Sequence, residues 1–135
     1  MKSIDLDRCK LALSSLIGLS IADAFGEKFF HDPKTVEQRI AKRIFPNTPW
    51  WWTDDTAMAT AITETLLKYG YIKSDILAES FAYYYAKDPE RGYGPGAFNL
   101  LRSLCLGVPW QEASSKAFEG EGSFGNGAAM RSAPV

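Results

Sequence analysis

Residues 54–70 read DDTAMATAITETLLKYG and contain a regular apolar repeat. Apolar side chains recur there at the i, i+1, i+4, i+5 spacing that places them on one face of an α-helix. Glycine at position 70 marks the end of this helix, because glycine readily adopts the left-handed conformation found after a last helical turn. The pattern therefore predicts an amphipathic helix with the apolar face Ala57, Met58, Ala61, Ile62, Leu66 and Tyr69.

Further helical patterns follow toward the C-terminus. A helix is predicted after Ser74, a residue type favoured at the N-cap, and another is predicted to end at Gly107. A short helix is predicted from Pro109 to Phe118, because proline suits the first helical turn. Residues 28–50 have no sustained period and predict a long loop with one helical turn near 36–40. Since no alternating strand pattern occurs, the predicted fold class is all-α, in a single domain over residues 1–135.

The N-terminal segment is apolar on nearly every side between Leu11 and Ile21. Such a pattern is typical of a buried helix, and small residues spaced by four favour close packing against neighbours. Only 12 residues separate Lys10 from Asp23, whereas a bilayer span needs about 20. The segment also contains serines and follows two aspartates, which a signal peptide would not favour. We therefore predict a buried helix and no membrane partner.

Composition excludes several functional classes. The chain has 135 residues, a formal net charge of -1 and 23% charged residues, without a long block of like charge. This balance argues against a nucleic-acid partner. The two cysteines provide neither a disulfide framework nor a metal knuckle, so a reducing, cytoplasmic location is expected.

The first candidate site is Thr53-Asp54-Asp55-Thr56, at the start of the helix predicted from residues 54–70. One interpretation is helix capping, with Thr53 as N-cap and two carboxylates favoured by the helix dipole. The other is a cation site, because consecutive oxygen side chains suit a hard ion such as Mg²⁺, which would relieve the repulsion between adjacent carboxylates.

Two glycine-rich turns and one carboxylate complete the candidates. Residues 120–127 read GEGSFGNG, and residues 91–96 read RGYGPG. Each turn precedes a predicted helix, the first one beginning at Ala128, and can present backbone N–H groups to a phosphate or serve as a plain connection. Asp23 lies near the end of an apolar helix, where the dipole disfavours it, so we expect it to have a polar partner.

Together these segments resemble the ADP-ribosylglycohydrolase family. The matching pieces are Gly18-Leu-Ser-Ile-Ala-Asp23-Ala-Phe-Gly26, Trp52-Thr-Asp-Asp-Thr56, Arg91-Gly-Tyr-Gly-Pro-Gly96 and Gly122-Ser-Phe-Gly-Asn-Gly-Ala-Ala-Met-Arg-Ser-Ala-Pro134, in the family's order. The resemblance implies an all-α fold and hydrolysis of the glycosidic bond at C1″ of ADP-ribosyl groups, on protein or small-molecule substrates.

The resemblance also implies roles for individual residues. Thr53, Asp54 and Asp55 would hold Mg²⁺ or Mn²⁺, in a site that is binuclear in the complete protein. Asp54 or Asp55 would also act catalytically by taking a proton from water. Substrate binding, mainly of the diphosphate and its neighbouring ribose, would fall to Gly122, Ser123, Phe124, Gly125, Asn126 and Gly94.

The sequence departs from the family pattern in three places. Ala22 stands where the family usually has glycine, and Phe30 stands where some members have a glutamate, with Glu27 three residues away. The family's second Asp-x-Asp metal motif is absent, so we expect a C-terminal half to be missing and this chain alone to be inactive. Two alternatives remain: a non-catalytic member that only binds ADP-ribose or is structural, and an unrelated helical interaction module.

Overall fold

The computed structural model describes residues 6–135, which form six α-helices, three short 3₁₀ helices and no strand. The prediction of an all-α fold is therefore confirmed. The helices are α1 (Leu6–Gly26), α2 (Pro33–Ala41), α3 (Asp54–Tyr69), α4 (Ser74–Lys87), α5 (Pro95–Cys105) and α6 (Trp110–Ser115).

The central helix is α3. Its predicted apolar face is buried over its first two turns, and residues on other sides of the helix, such as Ala59 and Thr63, are buried as well. The buried threonines remain compatible with an apolar setting because their hydroxyls donate to carbonyls one turn earlier, as Thr63 does to Ala59 at 2.9 Å. Helix α3 packs against α1 on one side and α4 on another, and α4 packs in turn against α5.

Helix α1 has the predicted position but not the predicted burial. Only Ala12 and Ala24 are buried, whereas Leu11 and Ile17 are 71% and 60% exposed. The small residues spaced by four also lie on exposed sides of the helix. The prediction that this helix is buried was therefore wrong. Within residues 6–135, α3 covers one side of α1, and the other apolar sides of α1 are exposed. The segment Leu6–Phe29, which comprises α1 and the following turn, is long and apolar enough to cross a membrane. The core helices of many soluble proteins meet the same criterion.

The predicted loop at residues 28–50 contains more helix than expected. Helix α2 has nine residues, because Asp32 accepts a hydrogen bond from the Thr35 amide at 3.1 Å and Pro33 occupies the first helical position. This pairing of an N-cap aspartate with a proline at the first position is a helix start signal. The predicted single turn was therefore too short.

The helix limits agree with the sequence prediction at some ends and differ from it at others. Gly70 ends α3 in the left-handed conformation at φ 74°, as predicted. Ser74 is not a cap: Lys73 occupies the N-cap position of α4 without a side-chain hydrogen bond. Helix α6 ends at Ser115 rather than at Phe118, which has a left-handed backbone at φ 53°. In place of the helix predicted at Ala128 there is a 3₁₀ turn, Asn126–Ala128.

Candidate functional site

The start of α3 is held by a carboxylate from α1. Asp23 accepts hydrogen bonds from the Thr53 amide at 2.8 Å and the Thr53 hydroxyl at 2.7 Å. It also accepts from the Thr56 amide at 3.2 Å and the Thr56 hydroxyl at 2.6 Å. The amides of a first helical turn have no partner within their own helix, and a carboxylate satisfies them well. The polar partner predicted for Asp23 is thus the N-terminus of α3.

The predicted capping by Thr53 is also present. Its hydroxyl oxygen accepts from the Asp55 amide at 3.4 Å while its hydrogen is donated to Asp23. The capping interpretation of this motif is therefore confirmed. The cap uses the Thr53 hydroxyl, so the carboxylates of Asp54 and Asp55 are not part of it and lie on the first turn of the helix, near Asp23.

The turn at residues 88–93 packs against the same point. The Asp54 amide donates to the Arg91 carbonyl at 2.8 Å, and the Arg91 guanidinium donates to the Trp52 carbonyl at 3.0 Å while lying 3.6 Å from the centre of the Trp52 ring. Gly92 has φ +91°, and a Cβ at this position would lie 3.6 Å from the Asp54 carboxylate. Glycine is required here because other residues rarely adopt this backbone conformation.

Burial and neighbouring carboxylates raise the pKa values of Asp54 and Asp55. Burial raises the pKa of Asp55 to about 6, with further contributions from the charges of Asp23, Asp54 and Glu27. The pKa of Asp54, which is 9% exposed, is also raised, first by burial and then by Asp23 and Glu27. Ionising both groups is therefore unfavourable, and a bound cation would offset that cost.

This electrostatic cost predicts how stability varies with pH in the absence of divalent ions. Since the folded-state pKa of Asp55 lies above its unfolded value, its contribution to stability is present below about pH 4 and is lost as the pH rises through about 6. We expect Asp55→Asn to remove this loss, so that the variant melts at a higher temperature than the wild type at pH 7. Thermal melts in EDTA from pH 4 to 7 measure this, with the exposed Glu79→Gln as the control. Identical pH profiles for wild type and Asp55→Asn would contradict it.

The glycine-rich segment is exposed and separate from this helix start. Gly122, Ser123, Phe124, Gly125 and Asn126 are all exposed, and Gly125 donates its amide to the Ser123 hydroxyl at 3.0 Å. Within residues 6–135 no hydrogen bond or ion pair joins this segment to residues 53–55. Gly94 lies elsewhere, as the N-cap of α5, where its carbonyl accepts from the Phe98 amide at 2.9 Å.

The chain returns to α3 just after the glycines. Met130 packs against the core cluster of Met58, Tyr85, Tyr93 and Leu101, and the Arg131 guanidinium lies 3.1 Å from the Met58 sulfur and 4.8 Å from the centre of the Phe81 ring. The glycine-rich segment is therefore anchored one turn beyond Asp54, although its own residues remain open to solvent.

Sequence comparison identifies the family. The model of the family described as ADP-ribosylglycohydrolase matches residues 3–135. The chain belongs to the ADP-ribosylglycohydrolase family. It is 42% identical to human ADP-ribosylhydrolase ARH3 over 89 residues, which are 63% of this chain and 24% of the human protein. The zebrafish ADP-ribosylhydrolase ARH3 is 41% identical over 86 residues, which are 62% of this chain and 23% of that protein.

A third relative matches more of the chain. An uncharacterized protein of Archaeoglobus fulgidus is 32% identical over 130 residues, which are 89% of this chain and 40% of that protein. The match spans about a quarter of the length of the ARH3 proteins.

The oxygen donors of this ADP-ribosylglycohydrolase chain fit one side of a divalent cation. Thr53, Asp54 and Asp55 carry hydroxyl and carboxylate oxygens, the donors that Mg²⁺ prefers. Among residues 6–135, however, no group of three or more histidine, cysteine or acidic side chains is arranged to hold a metal ion. The described residues by themselves therefore do not form a complete metal site.

Sequence reasoning did not single out Tyr93, which follows Gly92 in the turn that contacts Asp54. It is buried beside the Asp54 turn, and its only sequence signal is its position between Gly92 and Gly94. Arg131 lies close to Met58 on α3, a contact between distant segments that no local sequence signal predicts. Glu27 lies in an exposed 3₁₀ turn at the edge of the acidic cluster.

Proposed function

We propose that this chain forms one side of the active site of an enzyme that hydrolyses the C1″ glycosidic bond of ADP-ribosyl groups on protein or small-molecule substrates. The observation that carries the proposal is the convergence of Asp23, Asp54 and Asp55 at the start of α3. The Asp23 carboxylate is occupied by hydrogen bonds to the start of α3, so Asp54 and Asp55 are the carboxylates available for catalysis. Family membership and the likeness to ADP-ribosylhydrolase ARH3 support the same reaction.

Asp54 or Asp55 takes the proton of the attacking water. The water oxygen forms a bond to C1″ as the bond from C1″ to the leaving group breaks, and the leaving group takes up a proton. The transition state of such a reaction has oxocarbenium character, so a nearby negative charge stabilises it. A carboxylate that accepts a hydrogen bond from the attacking water is a suitable general base near neutral pH.

Thr53, Asp54 and Asp55 would hold Mg²⁺ or Mn²⁺, as one half of a binuclear site in the complete protein. When bound, the cation neutralises these carboxylates and lowers the pKa of a coordinated water. The close succession of three oxygen side chains at the start of α3, with the pKa values of Asp54 and Asp55 raised by burial, supports this assignment.

The glycine-rich segment is proposed to hold the diphosphate and its neighbouring ribose. Gly122 to Asn126 are solvent-exposed and anchored through Met130 and Arg131 to the core beside α3. Exposed backbone amides of such a turn bind phosphate oxygens well. Gly94, at the start of α5, would contribute a second backbone contact to the same substrate.

A C-terminal half of the domain is proposed to complete this site and to cover α1, so that this chain alone is inactive. The apolar sides of α1 that α3 leaves open support this, because a helix that is apolar all round is normally enclosed by other helices. We also propose a cytoplasmic location and no nucleic-acid or membrane partner, with α1 as a core helix of the complete domain.

A second candidate is a non-catalytic protein that only binds ADP-ribose. One observation favours it: residues 6–135 contain no group of three acidic, histidine or cysteine side chains arranged around a metal position. In that case binding would depend on the glycine-rich segment rather than on Asp54 and Asp55.

Calorimetric titration with ADP-ribose, with and without millimolar Mg²⁺, tests the first candidate. We expect binding that is at least tenfold tighter with Mg²⁺ and that is lost in the double variant Asp54→Ala, Asp55→Ala, because the carboxylates couple metal to ligand. The matched control is Glu37→Ala, Glu79→Ala, which removes two exposed carboxylates and should bind like the wild type.

The other outcomes of this titration separate the candidates. Binding that is independent of Mg²⁺ and unchanged in the aspartate variant would favour the non-catalytic candidate. An absence of binding under every condition would show that residues 1–135 do not assemble the substrate cleft, and it would contradict both candidates for this chain.

A further inference from the structure

The hydroxyl of Tyr93 is buried without a hydrogen-bond partner. Tyr93 is 9% exposed, its hydroxyl oxygen is inaccessible to solvent, and no donor or acceptor within residues 6–135 pairs with it. Burying a hydroxyl without a partner is costly, and phenylalanine would fill the same space without that cost. The buried Tyr93 hydroxyl therefore indicates a functional role at this position.

The position of Tyr93 points to Asp54. The preceding residue, Gly92, lies so close to Asp54 that a Cβ would be 3.6 Å from its carboxylate oxygen. Met58, one helical turn after Asp54 and on the same face of α3, packs with Tyr93 in the core cluster. Tyr93 therefore packs against α3 next to the turn that contacts Asp54.

Arg131 approaches the same point from the C-terminal segment. Its guanidinium lies 3.1 Å from the Met58 sulfur, and no carboxylate forms an ion pair with it in the part of the chain that the structure describes. A half-buried cation favours a nearby anion. The charge of Asp54 stabilises the Arg131 cation, whose pKa is otherwise lowered by burial.

Asp54 is the acceptor that best matches the Tyr93 hydroxyl. Asp88 also lies within electrostatic range of Tyr93, but it is paired with Arg91 at 2.9 Å. Burial and then the charge of Asp54 raise the pKa of Tyr93 to about 12, so the phenol keeps its proton and can donate it in a hydrogen bond. The charge of Asp54 thus acts on both the Tyr93 phenol and the Arg131 guanidinium.

We propose that Tyr93 and Arg131 are positioning residues that fix the orientation of the Asp54 carboxylate for ligand binding. Tyr93 donates a hydrogen bond to Asp54, directly or through one water, when Asp54 adopts its ligand-binding rotamer, and Arg131 balances the charge behind it. This inference rests on the proposed function, in which Asp54 is a metal ligand. Residues that orient a ligand in this way commonly change metal affinity tenfold or more.

The variant Tyr93→Phe tests the role of the hydroxyl alone. Calorimetric titration of the whole chain with Mg²⁺ should show about tenfold weaker binding than in the wild type. Melting in EDTA should occur at the same or a higher temperature, because the substitution removes an unpaired buried hydroxyl. Tyr83→Phe, which removes an exposed hydroxyl, is the control and should change neither quantity. Unchanged Mg²⁺ affinity in Tyr93→Phe, or a loss matched by a lower melting temperature, would overturn the proposal.

Arg131→Met and Arg131→Lys test the guanidinium. Arg131→Met should weaken Mg²⁺ binding by about tenfold, and Arg131→Lys, which keeps the charge, should restore part of that loss. Equal losses in the two variants would indicate packing rather than charge and would overturn the role assigned to Arg131.

A wild-type chain that fails to bind Mg²⁺ would contradict the metal assignment and, with it, the positioning roles of Tyr93 and Arg131. Unchanged Mg²⁺ affinity in the variants of a chain that does bind Mg²⁺ would contradict the positioning roles alone and leave the metal assignment standing.

Discussion

Replacing Asp23 by alanine should lower the free energy of unfolding of this chain by about 3 kcal/mol. The carboxylate accepts four hydrogen bonds from Thr53 and Thr56, one of them from the amide of the N-cap residue and one from an amide of the first turn of α3. Alanine leaves these donors half-buried and without their acceptor, while the adjacent carboxylates of Asp54 and Asp55 remain. Urea denaturation at pH 7, followed by circular dichroism, measures the effect.

Two further variants show whether the cap is the cause. Asp23→Asn keeps the shape but only one acceptor oxygen, so an intermediate loss is expected. Asp7→Ala removes another carboxylate of α1, whose ion pair with Lys10 is exposed, and should cost less than about 1 kcal/mol. A loss in Asp23→Ala no larger than that in Asp7→Ala would show that Asp23 does not hold the two helices together.

Leu101→Ala should lower the free energy of unfolding by about 3 kcal/mol, because the change leaves a cavity in a close-packed site. Leu101 is 1% exposed and packs with Met58, Tyr85 and Tyr93 where α3, α4 and α5 meet. These residues support the turn that contacts Asp54, so the variant should also weaken the binding of Mg²⁺. Urea denaturation and calorimetric titration measure the two effects.

Leu106 provides a matched control within five residues of Leu101. It follows the last residue of α5 and is 75% exposed, so Leu106→Ala should change the free energy of unfolding by less than about 0.5 kcal/mol. If Leu101→Ala and Leu106→Ala lowered the free energy of unfolding equally, the packing around Leu101 would contribute no more to stability than an exposed side chain.

The motif at the start of α3 could be predicted because its signals are local. Thr53 precedes an apolar repeat, and capping depends only on residues two positions apart. The same holds for Gly70 and for the spacing that marks α3, α4 and α5. Where local signals compete, as at Ser74 and between Ser115 and Phe118, the predicted helix limits were wrong.

Burial could not be predicted in the same way. Helices α1 and α3 both have apolar patterns, but α3 is packed on several sides whereas α1 is packed mainly on one. Periodicity shows that a helix has an apolar face, and it does not show which neighbours are present to cover that face. The candidate substrate segment, Gly122 to Asn126, shows the same limit, since its exposure depends on what packs around it.

The sequence by itself determined that the chain is all-α, that oxygen side chains gather at one helix start, and that its motifs are those of ADP-ribosylglycohydrolases. Only the tertiary structure decided that Asp23 caps a helix 30 residues away, that Arg131 meets Met58 across 73 residues, and that Tyr93 is buried with an unpaired hydroxyl. The physical reason is the range of the interactions. Helix periodicity and capping act within one or two turns, whereas these contacts exist only after packing has brought separate segments of the chain together.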